Sequence, residues 1–162
     1  MAFEKRKRGD GRPRDKKPEF DEQVVDLRRV TRVMAGGKRF RFRATVIIGD
    51  GKGKVGVGIA KGLDVETSIA KAKVKAKNNI IQIGIVKGTI AHEVQAKYSA
   101  AKVLLKPAAS GHGLLAGGSP RLVLKLAGVQ DATAKCLGNT TNKLTNALAT
   151  IEALKKLKKR QK

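Results

Sequence analysis

The chain has 162 residues, 41% of them hydrophobic and 3% aromatic, with 36 Lys and Arg against 13 Asp and Glu, a formal net charge of +23. That length fits one domain or two small ones, and a charge so large repels itself and requires a polyanion nearby, nucleic acid first and an anionic membrane surface second. No run reaches the ~18 apolar residues of a membrane span, the start Met1-Ala-Phe-Glu-Lys-Arg6 lacks a secretory core, and the single cysteine suits a reducing cytoplasm rather than a disulfide framework.

In chain order, residues 1–20 mix Lys5, Arg6, Lys7, Arg8, Arg12, Arg14, Lys16 and Lys17 with Gly, Pro and acids. Such a segment buries too little apolar surface to offset its ordering entropy. It is expected as a disordered basic arm that orders on a polyanion, the alternative being a solubilising tail. Val24–Met34 reads as a strand with Val25, Leu27, Thr31 and Val33 on one face, and Arg28 and Arg32 on the other with Val24, Val30 and Met34. Ala35-Gly36-Gly37-Lys38 is a turn. Then Arg39 to Ile48 alternates strictly, with Phe40, Phe42, Ala44, Val46 and Ile48 on an apolar face and Arg39, Arg41 and Arg43 opposite. Beyond the turn Gly49-Asp-Gly-Lys-Gly53, the strand Lys54–Gly62 is expected to continue the apolar face through Val55, Val57 and Ile59. Gly56, Gly58 and Ala60 would then lie beside the arginine row as nearly bare backbone. Guanidinium groups match phosphate geometry and bare backbone admits a large ligand, so this hairpin points to a nucleic-acid backbone. From Leu63 to Lys77 the period changes to 3.6, and Val65, Ile69, Ala72 and Ala76 form a stripe that can lie on a sheet, with Asp64 as its cap. Val74 falls opposite that stripe. The first unit, 21–79, is therefore β-β-β-α.

The second unit, 80–162, is expected to open with strands Ile80–Val86, Glu93–Ser99 and Lys102–Lys106. A glycine loop, Pro107–Ser119, follows. The next helix has Ser119 as N-cap, Pro120 at its first position and Gly128 just past its end. A strand over Ala132–Leu137 comes next. A last helix from Asn142 carries Leu144, Ala147, Leu148, Ile151 and Leu154 as its buried stripe. Its basic end, Lys155, Lys156, Lys158, Lys159 and Arg160, complements the helix dipole or touches RNA. The expected class is α+β, two small domains.

Catalytic motifs fail on inspection. Gly51-Lys-Gly53-Lys-Val-Gly56 matches G-x-G-x-x-G, but it joins strand to strand where a dinucleotide site needs a helix N-terminus. A P-loop fails as well, since Gly53-Lys54 is followed by Val55. His92, His112 and Cys136 lack partners at metal or catalytic spacing. No catalytic residue, metal, cofactor or small-molecule substrate is expected. The loop Pro107-x3-Gly111-x-Gly113-Leu114 looks like the phosphate loop of the galactokinase–homoserine kinase superfamily, but Gly117-Gly118-Ser119-Pro120 stands where that family places paired serines.

Val30-Thr-Arg-Val-Met-Ala-Gly-Gly-Lys-Arg-Phe-Arg-Phe42, Val46-Ile-Ile-Gly-Asp-Gly-Lys-Gly-Lys-Val-Gly-Val-Gly58, Lys106-Pro-Ala-Ala-Ser-Gly-His-Gly-Leu-Leu-Ala-Gly-Gly118 and Leu126-Ala-Gly-Val129 together resemble the bacterial small-ribosomal-subunit protein five family, from about Glu22 to Leu154. The resemblance implies a first domain like a double-stranded-RNA-binding fold without its initial helix. It implies a second, β3-α-β-α domain with a left-handed βαβ crossover. It also implies a cytoplasmic protein of the small subunit, bound to 16S ribosomal RNA at the body and neck and contributing to assembly and decoding accuracy. Ribosomal proteins four and eight would be neighbours, with messenger RNA near the channel through which it enters. The RNA-binding residues expected are Arg28, Arg32, Gly36, Gly37, Lys38, Arg39, Arg41, Arg43, Lys52, Lys54, Gly56, Gly58 and Lys61. The surface towards protein four comprises Gly111, His112, Gly113, Gly117 and Arg121. Asn139-Thr-Thr-Asn-Lys143 replaces the family's usual Asn-Pro, and the basic arm is longer than in many members. The competing readings are a kinase, disfavoured by the missing serines, and a non-specific DNA-compacting protein, suggested by charge alone.

Overall fold

Alternating sequence makes two long antiparallel strands, β1 (Asp21–Met34) and β2 (Gly37–Gly49), joined by a tight turn at Ala35-Gly36. The computed structural model describes residues 20–157; the basic arm before Phe20 and the terminal Lys158, Lys159 and Arg160 lie outside them. β3 (Lys54–Gly62) and β4 (Ile80–Gln82) complete an antiparallel sheet of order β1-β2-β3-β4. The strand expected to open the second unit thus closes the first sheet. α1 (Val65–Asn78) starts at Asp64, whose N–H is accepted by the Thr67 hydroxyl at 3.2 Å. Its Ala72 and Ala76 are fully buried on the sheet with Ile69 beside them, as the stripe predicts. Val74 points outward, 60% exposed, and nothing in the structure explains it.

The pairing of β2 with β3 corrects the expected faces. Ala44 lies opposite Ala60, Val46 opposite Gly58 and Ile48 opposite Gly56. Directly paired residues share a face, so the glycine strip belongs with the apolar row and not with the arginines. What approaches the bare backbone is α1. A Cβ on Gly58 would stand 2.2 Å from the Ala72 carbonyl oxygen, and one on Gly56 2.4 Å from that of Ala76. The opposite face carries Ile47, Val55 and Val57, which join a second core. A bulge between Val24 and Asp26 also breaks the alternation of β1: Val25 enters that second core, while Val24 pairs with Val46.

That second core belongs mainly to the other sheet, whose order is β5 (Val94–Tyr98), β6 (Ala101–Pro107), β8 (Ala132–Cys136), β7 (Leu114–Ala116). β7 is a short strand inside the expected glycine loop; it runs parallel to its neighbour β8, to which α2 (Gly118–Ala127) connects it. The helix begins at the N-cap Gly117 and not at Ser119, because β7 ends at Ala116 and the Arg121 N–H already bonds the Gly117 carbonyl. Pro120 still lies in the first turn, where a missing N–H breaks no helical bond. Gly128 ends α2 in the left-handed region at φ 89°, as predicted. α3 (Lys143–Lys155) is capped by Asn142, whose Oδ1 accepts from the Leu144 N–H, and it packs on β5, β6 and α2. Ala147, Ile151 and Leu154 are buried as expected; Leu144 and Leu148 are only half-buried, and Ala149, Thr150 and Ala153 complete the contact.

The two sheets meet where β2 turns into β3. Gly51 N–H donates to the Leu126 carbonyl at 3.0 Å and Gly53 N–H to that of Ala127 at 2.9 Å, so the turn satisfies the last carbonyls of α2. Asp50 holds the turn's shape, its Oδ1 accepting from Lys52 N–H at 2.7 Å and Lys54 N–H at 2.9 Å. Burial pushes its carboxyl up, but those bonds, its own N–H and the Lys54 charge together hold it below the usual carboxylate range. The G-x-G-x-x-G run is a joint between two sheets.

Candidate nucleic-acid interface

β3 ends at Gly62, opposite Phe42, so beyond that point β1 and β2 continue as a two-stranded ribbon. Residues 31–41 of this ribbon are exposed throughout. Its register sets Arg28 against Arg43, Val30 against Arg41 and Arg32 against Arg39, while β3 sets Lys61 against Arg43. The expected arginine row is therefore widened across three strands, with Arg28, Arg32, Arg39, Arg41, Arg43 and Lys61 on one face. Like charges directly opposite destabilise a sheet. Arg28 is offset by Asp26, whose Oδ2 is 2.7 Å from its Nε; Lys143 reaches the other oxygen at 3.7 Å. Among the described residues, no carboxylate bridges Arg32, Arg39, Arg41, Arg43 or Lys61. Arg32, Arg39, Arg41 and Lys61 line a shallow cleft with Val30, Thr31 and Met34. Such a face offers planar donors to successive phosphates.

The other predicted RNA residues fall elsewhere. Gly36 and Gly37 form the exposed tip, and Lys38 projects from the reverse face, opposite Val33. Lys52 and Lys54 are exposed at the joint with α2, and Lys54 stands about 23 Å from Lys61 at ~3.3 Å per strand residue. Gly56 and Gly58 are buried under α1 and are removed from the phosphate-facing set for that reason. Across the second sheet, Gly111 and His112 are exposed before β7, and Gly117 and Arg121 after it. Gly113 is half-buried, its N–H donating to Asp131 Oδ1 at 2.8 Å. Ser119 is 4% exposed and offers no open hydroxyl to a phosphate. Among the described residues, no group of three or more His, Cys, Asp or Glu side chains is placed to hold a metal, and no helix is long and apolar enough to cross a membrane.

Residues 20–84 match the family model "Ribosomal protein S5, N-terminal domain", and residues 96–162 match "Ribosomal protein S5, C-terminal domain". The chain belongs to the ribosomal protein S5 family. It is 47% identical over 139 residues to the small ribosomal subunit protein uS5 of Thermotoga maritima, covering 86% of this chain and 78% of that protein. It is 48% identical over 140 residues to the protein of the same name from Campylobacter jejuni, covering 86% and 95%. The two domains of the S5 family thus correspond to the two sheets, with the joint at Gly49–Gly53 inside the first match.

Sequence reasoning missed Arg29 in this S5-family chain. Its Cζ lies 3.8 Å from the centroid of the Phe40 ring on the reverse face of the ribbon. It stands on the face opposite Arg28 and Arg32, and only the register against β2 shows what it covers. Phe40 was expected in the core and is 45% exposed, because neither β3 nor α1 reaches that far along the ribbon.

Proposed function

We propose that this S5-family chain is a structural constituent of the small ribosomal subunit, without an active site, that binds 16S ribosomal RNA through the cationic face of its ribbon. The carrying observation is the directly opposed pairs Arg32–Arg39 and Arg43–Lys61, which lack bridging carboxylates among the described residues and whose repulsion a phosphate backbone relieves. Following the family resemblance, the RNA contacted lies at the body and neck. Ribosomal proteins four and eight are the neighbours, with Gly111, His112, Gly113, Gly117 and Arg121 turned towards protein four. The first domain lies near the channel through which messenger RNA enters, and the chain contributes to assembly and decoding accuracy.

Two measurements test this. In a ribosome profile the chain should sediment with the small subunit. In binding to a 16S transcript against salt, each lost phosphate contact makes the slope shallower by nearly one unit. Arg39→Gln, Arg41→Gln and Arg43→Gln combined should therefore flatten it by about two to three units. Replacing Lys155, Lys156 and Lys158 by Gln removes the same charge elsewhere. Equal flattening and equal weakening by the two triples would mean diffuse attraction, the behaviour of a non-specific DNA-compacting protein.

A further inference from the structure

The reverse face of the ribbon has a chemistry that phosphate binding leaves unused. Register sets Arg29 opposite Phe42 and Thr31 opposite Phe40, so these side chains share that face. The Arg29 guanidinium lies over the Phe40 ring at 3.8 Å from its centroid. Phe40 nonetheless stays 45% exposed, and α1, which covers Ala44, Val46 and Ile48, stops short of it. A ring held by a guanidinium and left half in water is a flat, cationic surface, and unpaired nucleobases stack on arginine planes and aromatic rings. Charge decides the occupant. Arg29 and Lys38 stand on this face and the arginine row lies directly behind it, which favours a polyanion over an apolar protein surface.

We propose that Arg29 and Phe40 form a stacking platform for one unpaired base of RNA, so that the ribbon holds phosphates on one face and a base on the other. The inference rests on the RNA-binding reading above but uses a different force, and the two can fail separately. Stacking has no counterion signature, whereas phosphate contacts do.

The test uses the full chain and a 16S ribosomal RNA transcript. Phe40→Leu keeps an apolar side chain without a ring, and Arg29→Lys keeps the charge without the plane. Each should weaken binding about tenfold, in the range that loss of one stacked base produces, with an unchanged salt slope. Phe40→Trp should retain affinity and, as the chain's sole tryptophan, lose fluorescence on adding the transcript. Phe40→Leu within twofold of the parent at every salt concentration, or an unquenched Trp at saturating RNA, overturns the platform. If the arginine triple still flattens the slope in that case, the phosphate face survives alone. If the triple changes neither slope nor affinity, the RNA-binding reading fails and the platform with it.

Discussion

Phe40 and Ile47 belong to the same strand, seven residues apart, and have opposite environments: the first is 45% exposed, the second 0%. Burial along β2 follows what lies over each position, not hydrophobicity. Phe40→Ala should therefore cost less than about 1 kcal/mol, the worth of one exposed cation–π contact. Ile47→Ala should cost about 2–5 kcal/mol through lost burial and a residual cavity. Denaturant unfolding of the two variants decides it, and similar losses would mean the ribbon folds back on something. Asp50 gives a pH signature at the same scale. Its carboxyl is held low in the folded chain, so its contribution is complete above the unfolded value of about 3.9 and is lost as pH falls through the lower folded value. Asp50→Asn should accordingly narrow the drop in unfolding midpoint between pH 5 and about pH 3. A wild-type drop no larger than the variant's would remove the turn-holding role assigned to that carboxylate.

At the scale of elements, α1 sits against β3 only because the strand offers no side chains there. The helix carries alanines at Ala72 and Ala76, and the strand carries glycines at Gly56 and Gly58, so backbone meets backbone. One added methyl at Gly58 must lift the helix. Gly58→Ala is expected to cost about 1–3 kcal/mol by overpacking. Gly36→Ala, at the ribbon tip where a Cβ meets nothing within 4 Å, should stay within about 0.5 kcal/mol. A thermal or denaturant series on the pair reads this directly; a neutral Gly58→Ala would show that α1 can slide without loss.

The whole molecule is held by a core to which both sheets contribute. Ile47, Val55 and Val57 of the first pack in one cluster with Val103, Leu105, Leu124 and Ile151 of the second unit. The turn at Gly51 and Gly53 adds two backbone bonds to the end of α2. Neither sheet can leave without exposing the other's apolar face, so the described residues should unfold as one cooperative unit. Native-state hydrogen exchange should give β2 amides from Ala44 to Ile48 and β6 amides the same opening free energy. Gly49→Ala, whose Cβ would stand 2.1 Å from the Leu126 carbonyl oxygen, should lower the opening free energies of β2 and β6 together. Separate opening of the two sheets in the unmodified chain would contradict the shared core.

The sequence by itself determined most of the elements and the charge chemistry, but not β7, which it hid inside a glycine loop. Alternation marked β1 to β3, the change of period at Leu63 marked α1, Asn142 and Gly128 marked helix ends, and the charge with its arginine row marked a polyanion. These are local signals, carried by residues within a few positions of one another. Tertiary structure decided what each face meets. The glycines of β3 could equally have received a ligand or a helix, because bare backbone admits any close neighbour, and only the pairing of Val46 with Gly58 shows that α1 takes the place. The strand at Ile80 could pair with either sheet, and the Gly49–Gly53 turn could bind an anion or cap α2. Those choices depend on partners up to some 75 residues away in the chain, through contacts that no local period encodes.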